Sequence, residues 1–238
     1  MLAVFKKEFK AAFTSPIAYI FLFLILIFSG YFFAAATLGA DRADLSPVFG
    51  NVLTIFLFAV PVLTMRIFSE EKRQKTDQLL LTSPKTNTQI VMGKFFAAYI
   101  IYLLSLLIFV VFYITVCFFV QPPLGIFIGN MVALSLVGAA FIAIGIFISS
   151  LTENQIVSVL TTFGIFLLLL FIDGFKNFIP SGSVFNFLNY VIDAFALYGR
   201  YSDFTIGIFD FSGILYYLSV AGLFLFLTTR VLEKRRWN

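Results

Sequence analysis

Histidine is absent from this sequence and cysteine occurs once, at Cys117. The first absence removes the commonest general base, metal ligand and near-neutral proton switch in one stroke. The second leaves no disulfide framework and no paired thiolate ligand set. Cys117 itself lies inside an apolar run, where a small buried or lipid-facing residue is the ordinary reading. Charge is scarce as well: Asp, Glu, Lys and Arg make up 12% of the residues, against about 25% in a soluble domain. Between Lys94 and Glu153 there is no ionisable side chain of these kinds, and no other apolar run carries one near its middle. Carriers driven by a proton or ion gradient use intramembrane carboxylates or histidines, so this chain has no visible means of drawing on such a gradient. No G-x-x-x-x-G-K-[ST] loop, H-E-x-x-H pair or G-x-S-x-G elbow occurs, so there is no nucleotide site and no hydrolytic motif. A membrane enzyme is hard to build from what remains.

What the sequence has in abundance is apolar runs of helix length. Hydrophobic residues make up 61% of the 238 positions and the mean hydropathy is +1.03. Crossing a hydrocarbon core of about 30 Å takes about 20 helical residues. Runs of that length leave no room for a soluble domain. The chain therefore reads as one all-α membrane domain over 1–238, with six transmembrane helices at about 17–36, 48–67, 95–120, 124–151, 156–172 and 213–231. Ahead of them, residues 1–15 set Leu2, Phe5, Phe9, Ala12 and Phe13 on one helical side and Lys6, Lys7 and Lys10 largely on the other, the pattern of an interfacial amphipathic helix. Ala34-Ala35-Ala36 mimics a signal-peptide cleavage site, but the apolar run before it is too long for an h-region of about 7–15 residues.

Local punctuation sharpens this outline. Pro61 falls inside the second run, where it frees a carbonyl and kinks a helix, a feature that membrane helices tolerate for structural reasons. In the fourth run Gly138 and Gly145 stand a heptad apart and Ala139 and Ala143 form a small-xxx-small pair, which permits close helix approach. Thr86-x-x-Gln89 is a capping box for the third run, and Lys94 stands where a lysine can snorkel to the interface. Residues 173–212, broken by Pro180, Gly182 and Gly199, are too polar to span and read as an interfacial helix or re-entrant hairpin on the outer side. The 34 Phe and 10 Tyr are economically explained by side chains facing lipid, and they name no substrate.

Six crossings put both termini on one side. Lys and Arg then number 13 on that side against 3 opposite, namely Arg42, Lys176 and Arg200. By the positive-inside rule the basic side, with both termini, is cytoplasmic. The net charge of +4 is thus a topology signal, not a nucleic-acid one.

One polar island, Arg66 to Lys94, interrupts the first two thirds of the chain and holds six of its sixteen Lys and Arg residues. Arg66 to Arg73 continues the second helix beyond the membrane, with Glu71 and Lys75 at i,i+4 in the favourable order. If Lys72 to Ser83 is helical, Leu79 and Leu80 flank Thr76 on one face, while Leu81 points about 160–180° away. A helix lying on a bilayer needs one apolar face, and a second suits a protein partner. A basic loop also arises from the positive-inside rule alone, so on these grounds the island is either a topology anchor or a docking surface.

The stretch from Phe68 through Glu70-Glu71-Lys72 to Thr82-Ser83-Pro84, followed by Gln89 to Lys94, resembles the segment between the second and third spans of ABC-2 type transporter permeases. The likeness is nearest to the small six-span permeases of the gliding-motility and copper-maturation kind. Tyr201 to Asp210 before the last span, and Arg230 to Trp237 after it, resemble the same group. The chain reads Lys75-Thr76-Asp77-Gln78 where such permeases commonly carry Gly-Thr-x-Glu. The resemblance implies a permease subunit of an ABC transporter in a bacterial cytoplasmic membrane. It would form the pathway as a homodimer or homologous heterodimer, driven by two copies of a separate ABC ATPase. ATP and Mg would be bound by that partner, with no cofactor in this chain. The family's connecting helix maps onto 1–15, its coupling helix onto 68–85 and its outer helices onto 173–212. Glu70, Glu71, Lys72, Arg73, Thr76, Leu79, Leu80, Thr82, Ser83 and Pro84 would touch the ATPase, and Thr152, Glu153, Asn154 and Gln155 would make a second contact. The gliding-type likeness also allows an ABC-like module that passes ATP-driven motion to a periplasmic accessory protein or surface machinery without moving a substrate.

Overall fold

In hydrocarbon a backbone N–H or C=O has no water to bond, and a helix satisfies both within one segment. Accordingly, every regular element among the described residues is a helix. The computed structural model describes residues 1–39, 45–76, 86–175, 199–205 and 211–237. Arg42, counted on the outer side, and most of the outer segment including Lys176, Pro180 and Gly182, lie outside the described residues.

Helix α1 (Leu2–Thr14) is the amphipathic start. Extended Ser15 ends it, and Pro16 opens α2 (Pro16–Phe33), where its missing N–H costs nothing. A π-helical turn, Ala34–Leu38, prolongs α2. Then come α3 (Ser46–Thr64), which contains Pro61, and α4 (Arg66–Arg73). Helix α5 (Asn87–Cys117) carries the Thr86 half of the expected capping box, with Thr86 Oγ1 accepting from Gln89 N–H at 3.4 Å. Helices α6 (Leu124–Leu151) and α7 (Gln155–Phe175) follow, then the short α8 (Tyr201–Thr205) and α9 (Phe211–Trp237). Among the described residues five helices are long and apolar enough to cross a membrane: Pro16–Thr37, Ser46–Arg73, Asn87–Cys117, Leu124–Leu151 and Phe211–Arg235. Gln155–Phe171, within the expected fifth span, is a shorter apolar helix.

Helices α3 and α6 form the centre, burying 67% and 72% of their apolar windows against 28% for α2 and 22% for α9. Close approach makes this possible. A Cβ at Gly138 would stand 2.1 Å from Tyr102 Cε1, and one at Gly145 would stand 2.2 Å from Thr64 Oγ1. The small residues of α6 are therefore contact points, as their heptad spacing predicts. Because lipid tails are as apolar as Leu, such packing rather than water exclusion holds membrane helices together. Much of it is aromatic: Phe21, Phe49, Phe56, Phe109, Phe141 and Phe166 are all below 2% exposed. The expectation that Phe mainly faces lipid describes Phe23, Phe118, Phe119 and Phe226, which are exposed, but not these six.

Pairwise contacts give the helix directions. Helix α3 runs with α6, since Phe49 meets Phe127 at 6.0 Å near one end and Met65 O accepts from Ser149 Oγ at 2.9 Å near the other. Helix α5 runs against α6, with the Tyr113 hydroxyl donating to Pro122 O at 3.2 Å and Tyr102 to Leu134 O at 2.7 Å. Tyr201 reaches Asn130 near the start of α6, Arg200 stacks on Tyr216 near the start of α9, and Phe147 meets Phe224 further along. Helix α9 therefore runs with α6. Helix α1, the end of α4, the end of α6 and the basic tail of α9 share one end of the bundle.

Candidate functional site at the basic end of the bundle

Helix α4 begins where the second span breaks. Pro61 lacks a donor, and Thr64 Oγ1 bonds back to Val60 O at 3.0 Å, both of which loosen the last turn of α3. The gap at Met65 is filled from α6. Ser149 Oγ accepts from Phe68 N–H at 3.1 Å and Ser69 N–H at 3.2 Å while donating to Met65 O. A serine hydroxyl has thus inserted into the hydrogen-bond ladder of the neighbouring helix, a recognised cause of a helix bend. Ser69 Oγ bonds Met65 O as well, and one helical turn on, Lys72 Nζ donates to Ser150 O. Ser46–Arg73 counts 28 residues, or about 42 Å of helix, some 12 Å more than a hydrocarbon core. The excess is the length of the 8-residue α4, which is bonded to the last turn of α6.

Three helices then meet on one lysine. Lys94, in the second turn of α5, has no exposed side-chain surface. Its Nζ lies 3.0 Å from Glu8 Oε1 of α1 and 2.8 Å from Glu71 Oε2 of α4. It donates to Ile67 O at 2.7 Å and sits 4.8 Å above the Phe68 ring. The contact with Glu71 Oε2 is close but off-axis, a charge contact without hydrogen-bond alignment. Lys7 of α1 reaches Glu71 Oε1 at 3.1 Å and Glu8 Oε1 at 3.7 Å. Partial burial pulls the Lys7 ammonium down, but Glu71 and then Glu8 outweigh it and hold it above the usual lysine range. At Gly93 the helices nearly touch: a Cβ there would lie 3.0 Å from Val4 Cβ. Lys94 therefore does not snorkel. It turns inward because two carboxylates and a carbonyl replace its hydration.

The far end of α4 also departs from expectation. Thr76 N–H bonds Glu71 O at 2.9 Å and Lys75 N–H bonds Lys72 O at 3.0 Å, with Lys75 at φ 55°. That is a Schellman stop with a lysine at the left-handed position that glycine normally fills. A helix running unbroken from Lys72 to Ser83 is thereby excluded. Lys75 leaves the helical face, so Glu71 pairs with Lys94 and Lys7 in place of the expected i,i+4 partner.

Of the residues expected to touch a partner, Glu71 and Lys72 are turned into the protein, Glu70 pairs with Arg73 at 3.3 Å and with Gln74, and Thr76 is half-buried. Arg73, Gln74 and Lys75 are exposed. Leu79, Leu80, Leu81, Thr82, Ser83 and Pro84 lie outside the described residues. In the second turn Glu153 and Asn154 are exposed, while Thr152 and Gln155 are half-buried. Asn154 starts α7, its Oδ1 accepting from Ile156 N–H at 2.9 Å. The Lys72–Ser150 bond brings this turn and α4 to the same end. Sequence reasoning missed Glu8, Ser149 and the inward turn of Lys94. The one available signal was an acid, Glu8, among three lysines on the polar side of the first helix.

Between α1, α4 and α5 lies a cavity of about 490 Å³. Lys7, Glu8, Arg66 and Glu70 line its polar part, and Ala11, Ala12, Leu63, Ala97, Ala98 and Ile101 its apolar part.

Several helices long and apolar enough to cross a membrane, with a buried ion-pair cluster around α4 at one end of the bundle, define a multi-pass membrane protein. The family model described as ABC-2 family transporter protein matches residues 2–181, and the chain belongs to that family. The match takes in α1 to α7 and with them the whole ionic cluster. Membership makes the chain a permease component of an ABC transporter, a class that works with an ABC ATPase subunit. No individually curated protein matches it.

Proposed function

We propose that this chain is the membrane half of an ABC transporter that receives motion from a separate ATPase through α4, residues 77–85 and the 152–155 turn. The observation that carries the reading is the double attachment of α4: to α6 through Ser149 and Ser150, and to α1 and α5 through the Glu71–Lys94–Glu8 cluster. A push on α4 is delivered to three other helices at once, because each bond is short and partly or fully shielded from water. The surface offered to the ATPase is Arg73, Gln74 and Lys75 with Glu153 and Asn154, all exposed at the same end. Glu71 and Lys72 act behind that surface as transmission residues.

In this reading α7, 21 residues and about 31 Å long, is the fifth of six crossings. The basic end faces the cytoplasm with both termini, in a bacterial inner membrane. Two permease subunits, through the exposed faces of α2, α7 or α9, enclose the pathway, and two ATPase copies dock below. Co-purification with the cognate ABC ATPase tests this. Wild-type chain is expected to retain the ATPase, and the double variant Arg73→Glu with Asn154→Arg to lose at least tenfold of it while keeping its own elution volume. Undiminished retention by that variant would remove the docking assignment.

A further inference from the structure

The geometry points to the α1–α4–α5 cavity as a binding site for an anionic phospholipid of the inner leaflet, its headgroup on Arg66 and one acyl chain along Ala97, Ala98 and Ile101. Charge accounting selects the headgroup. Lys7 and Lys94 are taken by Glu8 and Glu71, and Glu70 by Arg73 and Gln74. Arg66, half-buried on the cavity wall, has no ion pair or hydrogen bond among the described residues. A guanidinium matches a phosphate diester in charge and in its fork of donors. Shape selects the tail. Alanines at 11, 12, 97 and 98 leave open a space of about 490 Å³, within the range of ligand pockets of about 300–1,000 Å³, and Leu63 and Ile101 keep its inner wall apolar. Position selects the source. Helix α1 exposes Met1 and Leu2 beside Lys6 and Lys10, the arrangement of a helix lying on an anionic bilayer surface, so the cavity mouth opens at headgroup level. This inference needs only the permease and lipid, and stands whether or not the ATPase docks as proposed.

The test uses the purified full chain in a neutral detergent, with native mass spectrometry counting retained dioleoylphosphatidylglycerol against dioleoylphosphatidylcholine. Wild type is expected to retain phosphatidylglycerol at least fivefold over phosphatidylcholine. Arg66→Gln should cut that preference at least threefold. Ala11→Phe, which fills the cavity from an exposed position without touching a charge, should reduce retention of both lipids. Lys10→Gln removes the same charge outside the cavity and should leave the preference unchanged, with elution volume and helical circular dichroism checked for each variant. An equal loss in Lys10→Gln and Arg66→Gln would mean general surface attraction and would overturn the site. Displacement of the lipid by soluble glycerol phosphate at equal concentration would reassign it to a free phosphate. Wild-type indifference to lipid charge, with lipid displaced by added ATPase, would give the cavity to the protein partner.

Discussion

Lys94 and Glu8 meet at 3.0 Å across 86 positions of sequence, and the lysine has no exposed side-chain surface. A cation that deep is tolerable only while its partners stay, because removing one member of a buried pair strands the other. Lys94→Met is therefore expected to destabilise the protein by about 3–5 kcal/mol, read as a drop in the thermal midpoint in detergent. Adding Glu71→Gln should recover part of that loss, giving a non-zero coupling energy in the double-mutant cycle. Additive effects would show that the two do not interact.

Ser149 makes a different prediction. Ser149→Ala removes the oxygen that accepts from the Phe68 and Ser69 amides and leaves Phe68, a first-turn donor of α4, without an acceptor at a buried site, at a cost of about 1–3 kcal/mol. Amide exchange at those two positions should quicken by more than it does in the middle of α6, since α4 loosens first.

Lys75 sits at φ 55° in a Schellman stop, where a Cβ costs about 1–2 kcal/mol. After the greater freedom of glycine in the unfolded chain is subtracted, Lys75→Gly should stabilise by about 0.5–1 kcal/mol. Lys75→Val should destabilise by at least as much. Thermal midpoints of the three proteins decide it, and a lower midpoint for the glycine variant would contradict the left-handed assignment.

Gly145 admits no side chain: its Cβ would meet Thr64 Oγ1 at 2.2 Å. Gly145→Val should cost about 1–3 kcal/mol through overpacking. Gly145→Ala paired with Thr64→Ala should recover much of the loss seen in Gly145→Ala alone, measured by the yield of monodisperse protein.

The Lys7 ammonium is held above the ordinary lysine value of 10.5 by Glu71 and Glu8. A raised lysine pKa contributes stability that is fully present below the unfolded value and lost as pH climbs through the folded one. The gap in thermal midpoint between wild type and Lys7→Gln should thus stay level from about pH 7 to 10 and close above about pH 10.5. Because the Lys7 side chain is 60% exposed, added salt should narrow the gap too.

Five of the spans, the amphipathic start, the Thr86 cap and the contact role of Gly138 and Gly145 were legible in the sequence because each depends on neighbours within about two helical turns. Even the lysine at 75 was visible as a departure from the Gly-Thr-x-Glu pattern of the resemblance. Its backbone angle, φ 55°, is one that glycine adopts without strain. The error lay in extending helical periodicity through it, since periodicity cannot see a left-handed stop occupied by an unusual residue. The pairing of Glu71 with Lys75 failed for the same reason.

Composition and charge order by themselves determined that this chain is a helical membrane protein with its cations unevenly distributed between the apolar runs, because the hydrophobic cost of burying charge acts on every local window alike. Only the tertiary structure decided that Lys94 points inward, that Ser149 enters the ladder of α4 and that six phenylalanines fill the centre. Those outcomes depend on partners brought together from distant parts of the chain, Glu8 with Lys94 and Phe68 with Ser149. No helical period records them, because the energy that selects them exists only once the helices have packed.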